Sequence, residues 1–308
     1  MKFNYLFEEY LHCSNESEVF QYFQDTLTDS ITGWNYFVNW QKVLSQFRAV
    51  EINLNTLNYL IGKEDIEKSF RDLLQQSPQI ICVIPILIAC RTYDFQILTN
   101  YKNNNFNYKT FNFKNKTTLS IAEIDDIVEF VKNTGILELF KNKTLKSIPD
   151  YVLGIEVGLD TNGRKNRGGT TMETIVENVI TTICQENDFV FMPQATSDKI
   201  KKQWNIDLEV DKSSRRFDFA VKNDSNLYLI KANFYSGGGS KLNATAGEYK
   251  SLFNFISRQG HQFIWITDGL GWKRTLRPLE ETFKHIDYTL NLKMVVDGFL
   301  GELIAQKM

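Results

Sequence analysis

Residues 215–243 read RRFDFAVKNDSNLYLIKANFYSGGGSKLN and predict a β-hairpin that leads into a glycine-rich loop. Apolar side chains alternate along both arms, as they do in strands. The sequence Asn223–Asn226 suits a four-residue turn. If Lys222 pairs with the residue after that turn, Asp218 lies opposite Lys231, with Cβ atoms roughly 5 Å apart. An acidic and a basic side chain therefore converge within strands that are otherwise apolar.

The composition indicates a globular protein with a substantial core. The chain has 308 residues, of which 43% are hydrophobic and 13% aromatic, enough for one large domain or two ordinary ones. The formal net charge of −2 requires any polyanion site to be a local cluster. The four cysteines form no Cys-x-x-Cys pair, which favours a reducing cytoplasm. The apolar run Ile80–Cys90 contains Pro85 and is too short to span a bilayer, so we expect no membrane partner.

The first part of the chain, residues 1–150, is predicted to be mostly helical, as a DNA clamp or dimerisation region. Apolar periodicity runs through residues 4–77. The polar segment 99–118 predicts a loop or a weak exposed hairpin. Ser120 and Glu123 form the pattern of a capping box at the start of a helix.

The second part, residues 151–308, follows a predicted hinge at 145–156 and has a different sequence pattern, in which predicted helices and strands alternate. A helix at Thr171–Gln185 precedes a short strand that Pro193 is expected to end, and the hairpin follows. The alternation of helices and strands predicts an α/β fold with a mixed β-sheet flanked by helices.

Serine or cysteine hydrolase chemistry and zinc chemistry are poorly supported by the sequence. Only three histidines are present and no Gly-x-Ser-x-Gly elbow occurs. His12 and Cys13 are neighbours without a matching second pair, which argues against zinc. The loop Gly237–Lys241 lacks the Walker spacing, so it is either a permissive turn or a place where exposed amides meet a phosphate.

The segment Gly158–Gly169 is predicted to be a loop with three cations and two asparagines among glycines. Arginine and asparagine pair bidentately with guanine and adenine edges, and glycines let the backbone approach a duplex. Contact with DNA and a simple solvated loop are equally supported by these residues.

Asp218 and Asn233 on adjacent strands match part of the metal site of magnesium nucleases, in which an acid on one strand faces acid-x-Lys on the next. Position 231 is lysine, so the second acid is missing. A structural Asp218–Lys231 ion pair is the alternative, and the residues alone favour it.

Six segments, in order along most of the chain, share a further pattern. They are Asn58–Lys63, Gly154–Gly168, Arg216–Phe219, Asn233–Gly237, Gly239–Asn243 and Trp265–Trp272. With them the sequence resembles the type II restriction endonucleases of the DpnII/MboI kind, which cut duplex DNA at GATC.

The resemblance implies a restriction-endonuclease-like sheet in a domain of residues 151–308, and phosphodiester hydrolysis with Mg²⁺. It implies that Asp218 and the carbonyl of Ala232 hold the metal ion. Asn233 stands where many relatives have a water-orienting lysine, and Glu173 is a weaker candidate on the preceding helix. The partner would be double-stranded DNA, bound by a homodimer because the site is palindromic.

Eight side chains are expected to contact DNA by this resemblance. We expect contacts to bases or phosphates from Arg164, Lys165, Asn166 and Arg167, contacts to phosphates from Arg215, Arg216 and Lys241, and a DNA contact from Asn243.

The sequence departs from the family pattern around the expected metal site. Lys231 stands where the family has glutamate, and Ala244 and Gly247 stand where it has glutamate and arginine. We therefore expect impaired catalysis. The alternatives are a DNA-binding protein that keeps GATC recognition without cleavage, and an interaction protein without a nucleic-acid partner.

Overall fold

The computed structural model describes residues 1–100, 106–141 and 144–305, and the chain divides into two compact units. The sheet unit comprises Met1–Trp34 and Lys165–Met308, and the helical unit comprises Asn35–Arg164. In chain order the helices are α1 Tyr5–Leu11, α2 Glu16–Asp25, α3 Trp40–Leu57, α4 Ile66–Gln76, α5 Ile84–Leu87, α6 Ile121–Asn133, α7 Ile136–Lys141, α8 Ile148–Thr161, α9 Arg164–Asn187, α10 Ser197–Trp204, α11 Ser240–Ser257, α12 Leu276–His285, α13 Leu292–Val296 and α14 Phe299–Ala305. The strands are β1 Asp94–Asn100, β2 Asn107–Asn112, β3 Val190–Ala195, β4 Phe217–Lys222, β5 Leu227–Phe234, β6 Gln262–Asp268 and β7 Tyr288–Leu290.

The helical unit has its own apolar core and one hairpin. Strands β1 and β2 pair in antiparallel fashion, so the weak exposed hairpin predicted within residues 99–118 is present and begins earlier, at Asp94. Tyr101–Asn105, the polar centre of that prediction, lie outside the described residues. The capping box is confirmed, because Ser120 and Glu123 exchange hydrogen bonds at the start of α6.

The predicted hinge at 145–156 and the predicted loop at Gly158–Gly169 are wrong. Helix α8 covers the hinge from Ile148 onward, and α8 and α9 cover the loop apart from a turn at Asn162 and Gly163. Ser147 caps α8 by accepting a hydrogen bond from the amide of Asp150. Glycine lowers helix stability by only about 1 kcal/mol, and tertiary packing overrides such a preference. The sequence-based division at residue 150 thus falls within α8, whereas the compact units separate after Trp34 and after Arg164.

The sheet unit is built on a five-stranded mixed sheet, which confirms the predicted α/β class. The strand order is β3-β4-β5-β6-β7; the first three strands are antiparallel, and β6 and β7 are parallel to β5. Strand β3 continues through Pro193 to Ala195 instead of ending there. Proline is tolerated at this place because β3 is an edge strand.

The N-terminal segment is tied to this sheet by a buried carboxylate at the end of β6. Asp268 is fully buried and accepts hydrogen bonds from the amide and hydroxyl of Thr28, at 2.7 and 3.0 Å. It also accepts from the amides of Gly269 and Leu292, at 2.6 and 2.8 Å. One side chain thus links three distant segments of the sheet unit.

The described residues contain no helix with the length and apolar character needed to cross a membrane. All four cysteines are free thiols.

Candidate active site

The hairpin of β4 and β5 has the predicted register. Lys222 pairs with Leu227, and Phe219 with Ile230. The Asn223 side chain closes the turn by accepting hydrogen bonds from the amides of Ser225 and Asn226. Continuing this register by one residue places Asp218 opposite Lys231.

Asp218 and Lys231 form an ion pair at the edge of the core. Lys231 Nζ lies 2.7 Å from Asp218 Oδ1, and the two side chains are 14% and 6% exposed. The second carboxylate oxygen, Oδ2, accepts the amide of Ala232 at 2.7 Å. The ammonium also donates to the carbonyl of Arg216 at 3.4 Å. Both oxygens of Asp218 are therefore engaged by donors of the protein itself.

Glu173 belongs to the same cluster. It lies on α9, and Gln194 Nε2 of β3 donates to its carboxylate at 2.6 Å. Burial, and then the nearby charge of Asp218, raise the pKa of Glu173, while Lys231 opposes the shift. The other amide atom, Gln194 Oε1, is buried without a partner. Glu173, the weaker of the catalytic candidates predicted from the sequence, is thus close enough to Asp218 to interact with its charge.

Asn233 is held in place by two aromatic side chains. Its Oδ1 accepts a hydrogen bond from Trp265 Nε1 at 3.1 Å. It also bonds Tyr249, whose pKa is raised chiefly by burial and next by Asp218. These contacts fix the orientation of the Asn233 amide beside the ion pair, where a polar group would orient a neighbouring ligand.

The residues present do not fit a divalent cation at this place. Mg²⁺ requires several oxygen ligands in near-octahedral order. Both oxygens of Asp218 already accept hydrogen bonds, and the Lys231 ammonium lies where positive charge would be bound. Among the described residues, no group of three His, Cys, Asp or Glu side chains is arranged to hold a metal ion.

The residues expected to contact DNA from the predicted loop lie instead at the start of α9. Arg164 donates to the carbonyl of Phe37 at 3.4 Å, and Asn166 is exposed. Arg167 is half-buried. The side chain of Lys165 lies outside the described residues.

Arg215 has a structural position that the sequence did not indicate. Its guanidinium is 5% exposed and bonds Asp211 at 2.7 and 2.5 Å and Glu248 at 2.8 Å. Lys212 binds the same Glu248 carboxylate at 3.0 Å. The expected phosphate contact of Arg215 therefore competes with two carboxylates, whereas the neighbouring Arg216 is exposed.

Lys241 and Asn243 are both exposed in the first turn of α11. The preceding glycine loop packs closely against the turn after β6. A Cβ atom on Gly271 would lie 2.6 Å from the carbonyl oxygens of Gly237 and Tyr235. Glycine is needed at position 271 for this close backbone approach. Within the predicted loop, the φ of +149° at Gly239 agrees with the permissive-turn interpretation.

A cavity of about 420 Å³ opens beside the ion pair. Its charged lining residues are Lys212, Arg215, Arg216 and Lys231, and no carboxylate is among them. Sequence reasoning missed Lys212 and the hydroxyl residues of this cavity, although the run Lys212–Arg216 has three cations flanking two serines. The hydroxyl residues are Thr196, Ser213 and Ser214.

The mixed sheet, with an acid on β4 beside a cationic cavity, suits an enzyme of the restriction-endonuclease class. The family model of the DpnII restriction endonuclease matches residues 19–302. The chain belongs to this family.

Several curated relatives match this chain over nearly their whole length. The type II restriction enzyme MjaIII of Methanocaldococcus jannaschii is 48% identical over 93% of this chain and 99% of its own. The type II restriction enzyme LlaDCHI of Lactococcus lactis subsp. cremoris is 44% identical over 92% and 94%. The type II restriction enzyme DpnII of Streptococcus pneumoniae is 36% identical over 90% and 96%.

Proposed function

We propose that this chain recognises double-stranded GATC as a cytoplasmic homodimer, and that its Mg²⁺-dependent hydrolysis of phosphodiester bonds is impaired by Lys231. The 2.7 Å contact between Lys231 and Asp218 carries the proposal, because it engages the carboxylate that the family uses for metal. The GATC site follows from the family resemblance. The homodimer follows from the two-fold symmetry of that sequence.

The charge at position 231 supplies the physical reason. A lysine in place of glutamate exchanges −1 for +1 where a divalent cation would bind. The ammonium satisfies Asp218, so a cation would have to displace it and expose an unpaired ammonium in a partly buried place. Removing negative charge next to phosphates leaves affinity for DNA intact or increases it.

Cleavage of an unmethylated GATC duplex with Mg²⁺ tests the proposal. The wild-type chain is compared with Lys231→Glu, which restores the family residue, and we expect cleavage to rise strongly in that variant. Lys284→Glu makes the same charge change on α12, where Lys284 forms an exposed pair with Glu280, and serves as the control. Full cleavage by the wild-type chain would contradict the proposal.

The cationic cavity favours a second candidate, a DNA-binding protein that keeps GATC recognition and has lost cleavage altogether. A gel-shift with and without Mg²⁺, run beside a nicking assay, separates the two. Binding should weaken steeply as salt is added, because phosphate contacts release counterions. DNA affinity that is absent at every salt concentration would leave only an interaction protein without a nucleic-acid partner.

A further inference from the structure

The side chains that line the cavity beside the ion pair carry positive charge without compensating negative charge. Four cations and three hydroxyl residues surround about 420 Å³, without a lining carboxylate. Volumes of this order hold ligands in other proteins. Lysine, arginine and hydroxyl side chains are the usual donors to phosphate oxygens. The chemistry of the wall therefore selects an anion with several oxygen acceptors.

The four cations are not equally available. Arg215 bonds two carboxylates and Lys212 bonds one of them. Arg216 is exposed, and no carboxylate of the described residues forms an ion pair with it. Arg216 is therefore the cation of this wall whose charge is not shared with a carboxylate of the described residues.

Lys231 forms the inner wall of the cavity. An ammonium has three N–H donors. Two acceptors are in place, Asp218 Oδ1 at 2.7 Å and the Arg216 carbonyl at 3.4 Å. One donor remains for a ligand in the cavity. Asp218 fixes the position of the ammonium, so the charge is already in place before a ligand arrives.

We propose that this cavity binds a backbone phosphate of duplex DNA, with the Lys231 ammonium as a built-in cation, so that DNA affinity does not depend on a divalent ion. The proposal rests on the DNA partner of the proposed function. Lys231 and Arg216 contact the phosphate oxygens, and Ser213 and Ser214 supply hydroxyl donors at the rim.

Fluorescence anisotropy with a GATC duplex tests this cation independence. The duplex is titrated in EDTA and in Ca²⁺, and the measured quantity is Kd. We expect the wild-type Kd to agree within about twofold in the two buffers. Lys231→Glu should bind about tenfold more weakly in EDTA, because two carboxylates then face the phosphate, and Ca²⁺ should restore the loss. Lys284→Met removes an exposed lysine on α12 as the control.

A second variant tests the same site in case substitution of Lys231 prevents folding. Arg216→Ala changes an exposed side chain, and the backbone carbonyl that accepts from Lys231 remains. We expect the slope of log K against log salt to fall by about two for the variant dimer, roughly one for each subunit, with the preference for GATC over a scrambled duplex unchanged. A neutral methylphosphonate walked along the duplex should weaken wild-type binding at each contacted phosphate. At the phosphate that enters this cavity, once in each half-site, Arg216→Ala should reduce the effect, and Lys231 should account for what remains.

The outcomes separate the two proposals. Failure of the wild-type chain to bind any DNA overturns the proposed function and this site with it. GATC-specific binding that requires Ca²⁺ in the wild-type chain overturns only the built-in cation. If Arg216→Ala and the methylphosphonate change the binding free energy additively at every position of the duplex, Arg216 does not contact a phosphate at this cavity, and that part of the proposal is overturned.

Discussion

Asp218 and Lys231 face each other across β4 and β5, and their side chains form a 2.7 Å ion pair at the inner wall of a cationic cavity. Each charge has the other as its partner in a place that is largely shielded from water. Removing either partner would therefore leave a largely buried charge unpaired, and the pair also sets the charge of the cavity wall.

The stability contribution of this pair is expected to appear when one partner is neutralised. Asp218→Asn leaves the ammonium of Lys231 without its counter-ion and should lower the free energy of unfolding by about 3 kcal/mol. Urea denaturation at pH 7 measures the loss. Asp224→Asn in the exposed hairpin turn is the control, with an expected change within about 0.5 kcal/mol. Equal midpoints for the two variants would contradict a stabilising pair.

The raised pKa of Glu173 predicts a pH dependence of stability. Burial raises the pKa, so the folded chain holds this proton above the usual titration range of glutamate while the unfolded chain releases it. Stability is therefore lost as pH rises from 4.5, the ordinary pKa of glutamate, through the raised pKa of the folded chain. Glu173→Gln removes this loss and should be more stable than wild type at pH 7, with the advantage shrinking toward pH 4. Thermal unfolding across that range checks the sign, and a constant difference would refute it.

The carboxylate of Asp268 is expected to be essential for the sheet unit. Asp268→Asn places an NH₂ group among the four donors of Thr28, Gly269 and Leu292. Buried donors are then left unpaired, at a cost of about 1–3 kcal/mol each. Chemical denaturation should show a loss larger than that of Asp218→Asn. Wild-type stability would show that water or rearrangement replaces these bonds.

The turn after β6 should not tolerate a side chain. Gly269 has φ +104°, and an added Cβ would lie 2.3 Å from the carbonyl oxygen of Tyr235. Gly269→Ala should therefore unfold at a clearly lower temperature. Gly260→Ala is the matched control, because Gly260 has φ +78° with nothing within 4 Å of the added Cβ, and carries only the conformational cost of about 1–2 kcal/mol. Similar melting temperatures for the two variants would rule out the steric contact.

The hairpin could be predicted from the sequence because neighbouring residues alone determine its strands and its turn. Alternation sets the faces of β4 and β5, and a four-residue turn then fixes Asp218 opposite Lys231. The segment Gly158–Gly169 misled the same reasoning, because four glycines and several polar residues are typical of a loop. The segment is instead helical, as part of α8 and α9, apart from the short turn between them.

The wall of the cavity depends on long-range contacts that no local pattern contains. Arg215 resembled a phosphate ligand in sequence, yet Glu248 of α11, distant along the chain, binds it in addition to its near neighbour Asp211. The place of the N-terminal segment in the sheet unit likewise involves contacts far apart in sequence, such as that of Thr28 with Asp268, which lies 240 residues further along the chain.

That link between Thr28 and Asp268 sets the order of events during synthesis. The N-terminal helices α1 and α2 emerge from the ribosome first, but the carboxylate that anchors their end is made 240 residues later. At about 5–20 residues per second, this interval is roughly 10–50 s. The helical unit has all of its residues within that time and can fold first. The start of the chain therefore has to wait, with apolar helix faces uncovered, until its own sheet has been translated.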